Sequence, residues 1–225
     1  KVVLITGGSD GLGKAIAKRL SPKYQVVILS PSTEKLKIVA RKVGCDYVVA
    51  DVSDYRSLVR SIAKLISKYR RLDCLINGAG LWIEGELDTT DPDRIENVIK
   101  VNTLGVIFAA KAVIPQMKKQ KTGLIININS QAGIYARSER SVYYGTKWGI
   151  TGFTKSLQPE LAKYGIGVTG IYPGGMKTRM FQKSGVKKDT KDMLEPDEVA
   201  KVIEFLLTLD PTTVLPEIGI KYILN

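Results

Sequence analysis

Short runs of β-branched and aliphatic residues alternate along the chain with longer segments whose apolar positions fall three and four apart. Lys1–Thr6 is apolar almost throughout, the pattern of a strand buried on both faces. The spacing predicts a helix over Leu12–Leu20, a strand over Gln25–Ser30 and a helix over Glu34–Val43. Cys45–Ala50 reads as a third strand. Tyr55–Tyr69 reads as a helix whose Leu58, Val59, Ile62, Leu65 and Ile66 share one face. Leu72–Asn77 is the fourth strand, and a long helical region runs from about Pro92 to Gln120, with a junction expected at Val101–Gly105. Leu124–Ile128 is a fifth strand, Val142–Lys163 a helix, Val168–Tyr172 a sixth strand, Pro196–Leu209 a helix and Ile218–Ile223 a closing strand. Pro159 removes a backbone donor inside its helix, so a bend is expected there.

Such regular alternation argues for one parallel sheet with helices on both faces. The 225 residues fit a single α/β domain, and no Pro/Ser-rich linker, internal repeat or low-complexity tract divides them. No stretch approaches the ~18 consecutive apolar residues of a membrane span, so no membrane partner is expected. The opening run is too short for a signal peptide, which points to a cytoplasmic location. Its first residue is not Met, so further N-terminal residues are expected.

Cys45 and Cys74 lack CxxC spacing and lie in or beside apolar runs, the setting of reduced thiols that pack as small hydrophobes. Histidine is absent. That excludes His-based triads and imidazole metal sites, and leaves proton transfer to Tyr, Lys, Cys or a carboxylate. The net charge of +12 raises the question of nucleic acid, but the basic residues are spread along helical segments, as in Lys14, Lys18 and Arg19. The Lys118-Lys119-Gln120-Lys121 cluster falls at a helix C-terminus, where cations complement the dipole. A solvated basic surface is the better reading, with no nucleic-acid partner.

Three features carry chemistry. Thr6-Gly7-Gly8-Ser9-Asp10-Gly11-Leu12-Gly13 joins the first strand to the first helix. Glycines there let the backbone approach phosphates, and the helix start offers unpaired N–H groups. Tyr143 and Lys147 stand at i,i+4 on one helix face, where an ammonium can stabilise a phenolate and pull its pKa down from ~10. Ser130 follows the fifth strand, at the sheet edge where open α/β folds bind ligands.

Taken together, these features resemble the short-chain dehydrogenase/reductase family over essentially the whole chain. The family's TGxxxGxG motif reads as Thr6 through Gly13, including Gly7, Ser9, Gly11, Leu12 and Gly13. Its acidic residue after the third strand is matched by Asp51, followed by Val52, and its NNAG element by Asn77-Gly78-Ala79-Gly80. The helical Asn of its tetrad matches Asn102, its serine Ser130, its YxxxK pair Tyr143 and Lys147, and its PGxxxT segment Pro173, Gly174 and Thr178. Gly78 and Asn129 depart from the family's usual Asn and Ser, which puts a strand-end hydrogen-bond network and the pocket shape in question.

The resemblance implies a Rossmann-like, doubly wound sheet of about seven strands in the order 3-2-1-4-5-6-7. It implies a dinucleotide cofactor carrying hydride between a small carbonyl compound and its alcohol. Ser130 would bond the substrate oxygen, Tyr143 would exchange its proton, Lys147 would hold the nicotinamide ribose and depress the tyrosine's pKa, and Asn102 would anchor a relay water. It further implies a homodimer or homotetramer built through two long helices. A cofactor-binding sensor or scaffold without turnover is the alternative, and the complete tetrad weighs against it.

At the end of the second strand Ser30 stands where NAD-dependent relatives carry an acid, and Ser32, Thr33 and Lys35 follow. That favours NADP(H) over NAD(H), with Asp10 and Pro31 as counter-signals. Residues 178–195 are expected to form the substrate lid. Met180, Phe181 and Met193, joined by Trp82, Tyr135 and Tyr144, are candidate pocket residues. Lys183, Lys187, Lys188 and Lys191 read as a solvated lid surface rather than an anion site.

Overall fold

Side-chain alternation along the strands divides the core between two faces. The computed structural model describes residues 1–223. Strands β1 (Val2–Thr6), β2 (Gln25–Ser30), β3 (Asp46–Val49), β4 (Cys74–Asn77), β5 (Gly123–Ile128), β6 (Ile166–Pro173) and β7 (Glu217–Ile220) form one seven-stranded parallel sheet. Their order is β3-β2-β1-β4-β5-β6-β7, as the family resemblance implied. The closing strand stops at Ile220 rather than Ile223, because β6 offers its last partner at Pro173.

On one face Val3, Ile5, Val26, Ile28 and Ile126 pack beneath Ile16, Leu20, Leu36, Val199 and Ile203. These come from α1 (Gly11–Leu20), α2 (Thr33–Val43) and α8 (Pro196–Thr208). On the other face Leu4, Val27, Leu29, Leu75 and Ile125 meet Leu58, Ile62, Val113, Met117, Leu157 and Leu161. Those belong to α3 (Tyr55–Tyr69), α5 (Gly105–Gln120) and α6 (Ser141–Ala162). Burying each such aliphatic side chain contributes about 1.5–3 kcal/mol. Strand order reverses between β1 and β4, so a crevice opens above the C-terminal strand ends.

Helix α4 (Pro92–Ile99) does not meet α5 at a break. A π-helical turn over Lys100–Leu104 joins them, and the Gly105 N–H donates to the carbonyl of Lys100, five residues back. One extra residue is thereby absorbed without ending the helix, which corrects the expected junction. Gly105 is needed for its size, since a Cβ there would lie 2.6 Å from the Val52 side chain. The 29-residue run Pro92–Gln120 is long and apolar enough to cross a membrane. Its Ala109, Ala110, Val113 and Met117 are nevertheless fully buried against the sheet, the place of a core helix.

Two elements were too short for periodicity to register. They are a 3-10 turn at Gln131–Gly133 and the single-turn helix α7 (Met180–Lys183). Pro159 falls in the closing turn of α6, which runs on to Ala162. Cys74 is buried and Cys45 half-buried, both as free thiols, and burial pushes the Cys45 thiol up to about 11.

Candidate active site

A cleft of about 960 Å³ lies over the strand ends. Its first half is made by backbone. After Thr6 the chain turns through Gly7 at φ 70° and enters α1 through Gly11 at φ 47°, conformations glycine adopts without strain. A Cβ on Gly7 would lie 2.8 Å from the backbone of Ala79, and one on Gly13 only 2.4 Å from the Gly7 carbonyl oxygen. Leu12 and Gly13, at the start of α1, have no intrahelical acceptor for their N–H groups. The Thr6 hydroxyl accepts from the N–H groups of Gly78 (3.1 Å) and Ala79 (3.3 Å), so this link needs no side chain at position 78.

Gly7, Ser9, Gly11, Leu12, Gly13 and Ser30 line the cleft, as do Asp51, Val52, Ala79, Gly80, Pro173, Gly174 and Thr178. Asn77 is not among the described lining residues. It is buried and donates to Asn127 Oδ1 at 2.9 Å, and Asn127 donates to Thr154 at 2.9 Å, so it stitches β4 to β5 and α6. Asp51 accepts from the N–H and hydroxyl of Ser53, at 2.8 and 2.7 Å.

Asp10 caps α1 by accepting from Gly11 N–H at 2.8 Å. It also pairs with Arg179 (3.0 Å) and Lys183 (2.5 Å), so α7 and the residue before it are tied to the glycine loop. Burial raises its pKa, but the bonds from Lys183, Gly11 and Arg179 prevail and hold the carboxyl down at about 2.

The candidate reacting groups lie just beyond β5 and on α6. Ser130 caps the 3-10 turn, its Oγ accepting from Ala132 N–H at 3.1 Å. Tyr143 and Lys147 are buried on one face of α6, with the ammonium 5.8 Å from the centre of the phenol ring and donating to the Ile128 carbonyl at 3.3 Å. Burial pushes the tyrosine up to about 12 against the pull of its bond with Ser130. Burial also draws Lys147 down to about 8. In the protein alone the tyrosine therefore moves opposite to the expected direction, because both groups share a desolvated wall.

Asn102 is buried behind this wall. Its Oδ1 accepts from Leu81 N–H at 2.7 Å, and its Nδ2 donates to the Leu81 carbonyl at 2.9 Å and to Thr146 at 3.3 Å. It acts on the site by fixing the backbone ahead of Trp82. Two further positioning groups carry no motif. Thr146 donates to the carbonyl of Tyr143 at 2.7 Å. Asn129 Nδ2 donates to the Lys147 carbonyl at 3.2 Å and to Thr151 at 2.8 Å, clamping β5 to α6.

The second half of the cleft is made by side chains. The Trp82 ring lies 4.4 Å from that of Tyr143 and 4.9 Å from that of Phe181. Tyr135, Tyr144, Met180 and Met193 complete the candidate pocket, together with Arg94, Arg137 and Arg140, which sequence reasoning passed over. The lid lysines Lys183, Lys187, Lys188 and Lys191 are exposed, as expected of a solvated surface, but two of them have partners. Lys183 pairs with Asp10, and the Lys188 ammonium stands over Phe181 at 4.8 Å and Trp82 at 5.3 Å.

A doubly wound sheet, a glycine loop at its switch point and a Ser-Tyr-Lys group whose Tyr143 and Lys147 are buried define a nucleotide-dependent oxidoreductase fold. The chain belongs to the short chain dehydrogenase family, whose pattern matches residues 1–189. It is 32% identical to carbonyl reductase family member 4 of Xenopus laevis over 216 residues, covering 92% of this chain and 91% of that one. Among solved structures it is similar to an alcohol dehydrogenase of the archaeon Thermococcus sibiricus complexed with 5-hydroxy-NADP. The TM-score is 0.91 at 26% identity, over 100% of this chain and 97% of that one. It is also similar to a 3-ketoacyl-(acyl-carrier-protein) reductase of Brucella melitensis complexed with NADH, with TM-score 0.88 at 26% identity over 97% and 96% of the chains.

Proposed function

We propose that this protein interconverts a small carbonyl compound and its alcohol, with NADP(H) as the favoured cofactor and Tyr143 as the proton donor and acceptor. The observation that carries this reading is the pair Tyr143 and Lys147, buried on one face of α6 and lining, with Ser130, the cleft that the glycine loop also lines. The cradle fits a dinucleotide, because glycine at 7 and 13 lets the loop close against Ala79 and on itself, and the start of α1 then lines the cleft with Leu12 and Gly13 N–H groups that lack intrahelical acceptors. The cofactor, when bound, supplies or accepts the hydride at the carbonyl carbon. Ser130 holds the substrate oxygen and steadies its developing charge. The phenol gives its proton to that oxygen in reduction and takes it back in oxidation. Lys147 holds the ribose side of the site, and Asn102 keeps the Leu81 backbone in place.

Three observations favour the 2′-phosphate. Ser30 and Lys35 line the cleft, and Ser32 starts α2 without using its side chain as a cap. Asp10, the acidic counter-signal, has its charge met by Arg179 and Lys183. The proposal extends to a homo-oligomer. Leu104 in the π turn is 38% exposed and Trp148 on α6 is 52% exposed, an apolar surface suited to a second copy.

Purified protein is expected to consume NADPH with a carbonyl panel, and Tyr143→Phe to lower turnover about 10²- to 10⁴-fold while keeping thermal stabilisation by the cofactor. A Tyr143→Phe protein that retained most of its activity would remove the proton donor assigned here. Stabilisation by NADPH with no turnover on any carbonyl or alcohol would instead favour a sensor. Equal thermal shifts with NADPH and NADH would end the cofactor preference.

A further inference from the structure

Resting on the oxidoreductase reading, we propose that the substrate carries a carboxylate, and that Arg137, Arg140 and Lys188 bind it beside Trp82. The catalytic phenol and these cations share one aromatic platform. The Trp82 ring is 4.4 Å from that of Tyr143, and the same indole carries the Lys188 ammonium at 5.3 Å and the Arg140 guanidinium at 5.7 Å. An acid group on the cations therefore belongs to a small molecule whose carbonyl reaches Tyr143.

The charges do not balance on their own. Glu84 is the carboxylate that meets this cluster, accepting from Trp82 Nε1 at 3.2 Å and from Arg140 Nε at 3.3 Å. Among the described residues, the charged groups acting on Lys188 are Arg140, Arg137 and Glu84, so the cations outnumber the carboxylate that meets them. Among the described residues lining the cleft the carboxylates are Asp10 and Asp51, both in the glycine-loop half, and Asp10 is already shared by Arg179 and Lys183. Although Lys188 is exposed, its ammonium stands over the rings of Phe181 and Trp82. Burial, then the neighbouring Arg140 and Arg137, lower its pKa, while Glu84 opposes them. Like charges held together on an aromatic wall are relieved by an incoming anion.

The cofactor is not that anion, since its pyrophosphate seat is the start of α1. A carboxylate suits the place, because it can take two parallel bonds from the guanidinium of Arg137 and a third from Lys188.

The test uses protein saturated with NADP⁺, titrated calorimetrically with 3-oxobutanoate, 4-oxopentanoate and 5-oxohexanoate and with their methyl esters. At least one acid is expected to bind about tenfold or more tighter than its ester, a gap of about 1.4 kcal/mol. Added salt should weaken the acid and spare the ester. In Arg137→Gln/Lys188→Met, which keeps both aliphatic stems and whose fold is checked by retained NADP⁺ stabilisation, the preference should vanish. Failure of every acid to bind, equal affinity of acid and ester, tighter binding of a matched phosphonate, or an unchanged preference in the double variant would each overturn the subsite. NADPH consumption with the same compounds reads the oxidoreductase assignment separately. Acid-selective binding without turnover would keep the subsite and reject the enzyme.

Discussion

The glycine loop and the wall around Trp82 bound the same cleft, yet they recognise by different means. The loop works through main-chain shape: two glycines whose Cβ atoms would collide, a helix start, and a threonine hydroxyl gathering two N–H groups. The wall works through side chains brought from three separate segments, with Trp82 touching Tyr143, Phe181, Arg140 and Lys188. A phosphate group is the same in every dinucleotide, so a fixed backbone cradle serves it. A substrate varies, and only exchangeable side chains can follow it.

The sharpest way to break this comparison is Gly13→Ala. Its Cβ would meet the Gly7 carbonyl oxygen at 2.4 Å, so cofactor affinity should fall at least about a hundredfold, read by fluorescence titration with NADPH. Normal NADPH affinity would show that the loop is not shaped by backbone contact.

Lys147→Met should act on both halves, abolishing turnover while raising stability at pH 7 by up to about 3 kcal/mol. The sign follows from the lowered pKa. The folded state prefers the neutral amine, so the cost of burying an ammonium is present below about 8 and fades as pH rises toward 10.5. The stability advantage of Lys147→Met should therefore shrink over that window in denaturation curves. For the same reason wild-type reduction should decline above about pH 8, as the lysine loses its charge. A variant equally stable at all pH values would contradict this account.

Asp10→Asn should give the smallest effect. Asn caps a helix about as well as Asp, so α1 should hold. Releasing Arg179 and Lys183 beside the phosphate seat should tighten NADPH about threefold and leave NADH nearly unchanged. Weaker NADPH binding would mean that the tie between loop and α7 helps the cofactor instead of competing with it.

The legibility of the site follows the same division. Gly7 through Gly13, Ser130, Tyr143 and Lys147 could be read in the sequence because each acts within a few residues or at one helical spacing. The strands were legible because β-branched runs alternate with amphipathic helices. Arg137, Arg140 and Lys188 were not, since their meaning depends on Trp82 lying between them, and no local pattern records that meeting. Asn129 could be seen as a departure from the family's serine but not as a clamp, and Thr146 was missed, because a buried polar clamp looks like any core position until its partner is known. Asn77 shows the reverse case: it belongs to a motif, yet in this fold it ties strands together from outside the described cleft lining.

The π turn at Lys100–Leu104 makes the long helix sensitive to counting. Each residue of an α-helix advances the face by about 100°. Deleting one residue within the turn would let the helix close regularly and swing Asn102 away from the Leu81 backbone it grips on both sides. The sheet would be untouched, and the rest of the cleft would still be encoded. The extra residue thus works as a phase marker, and a single lost codon there would put the helix out of step with its own active site.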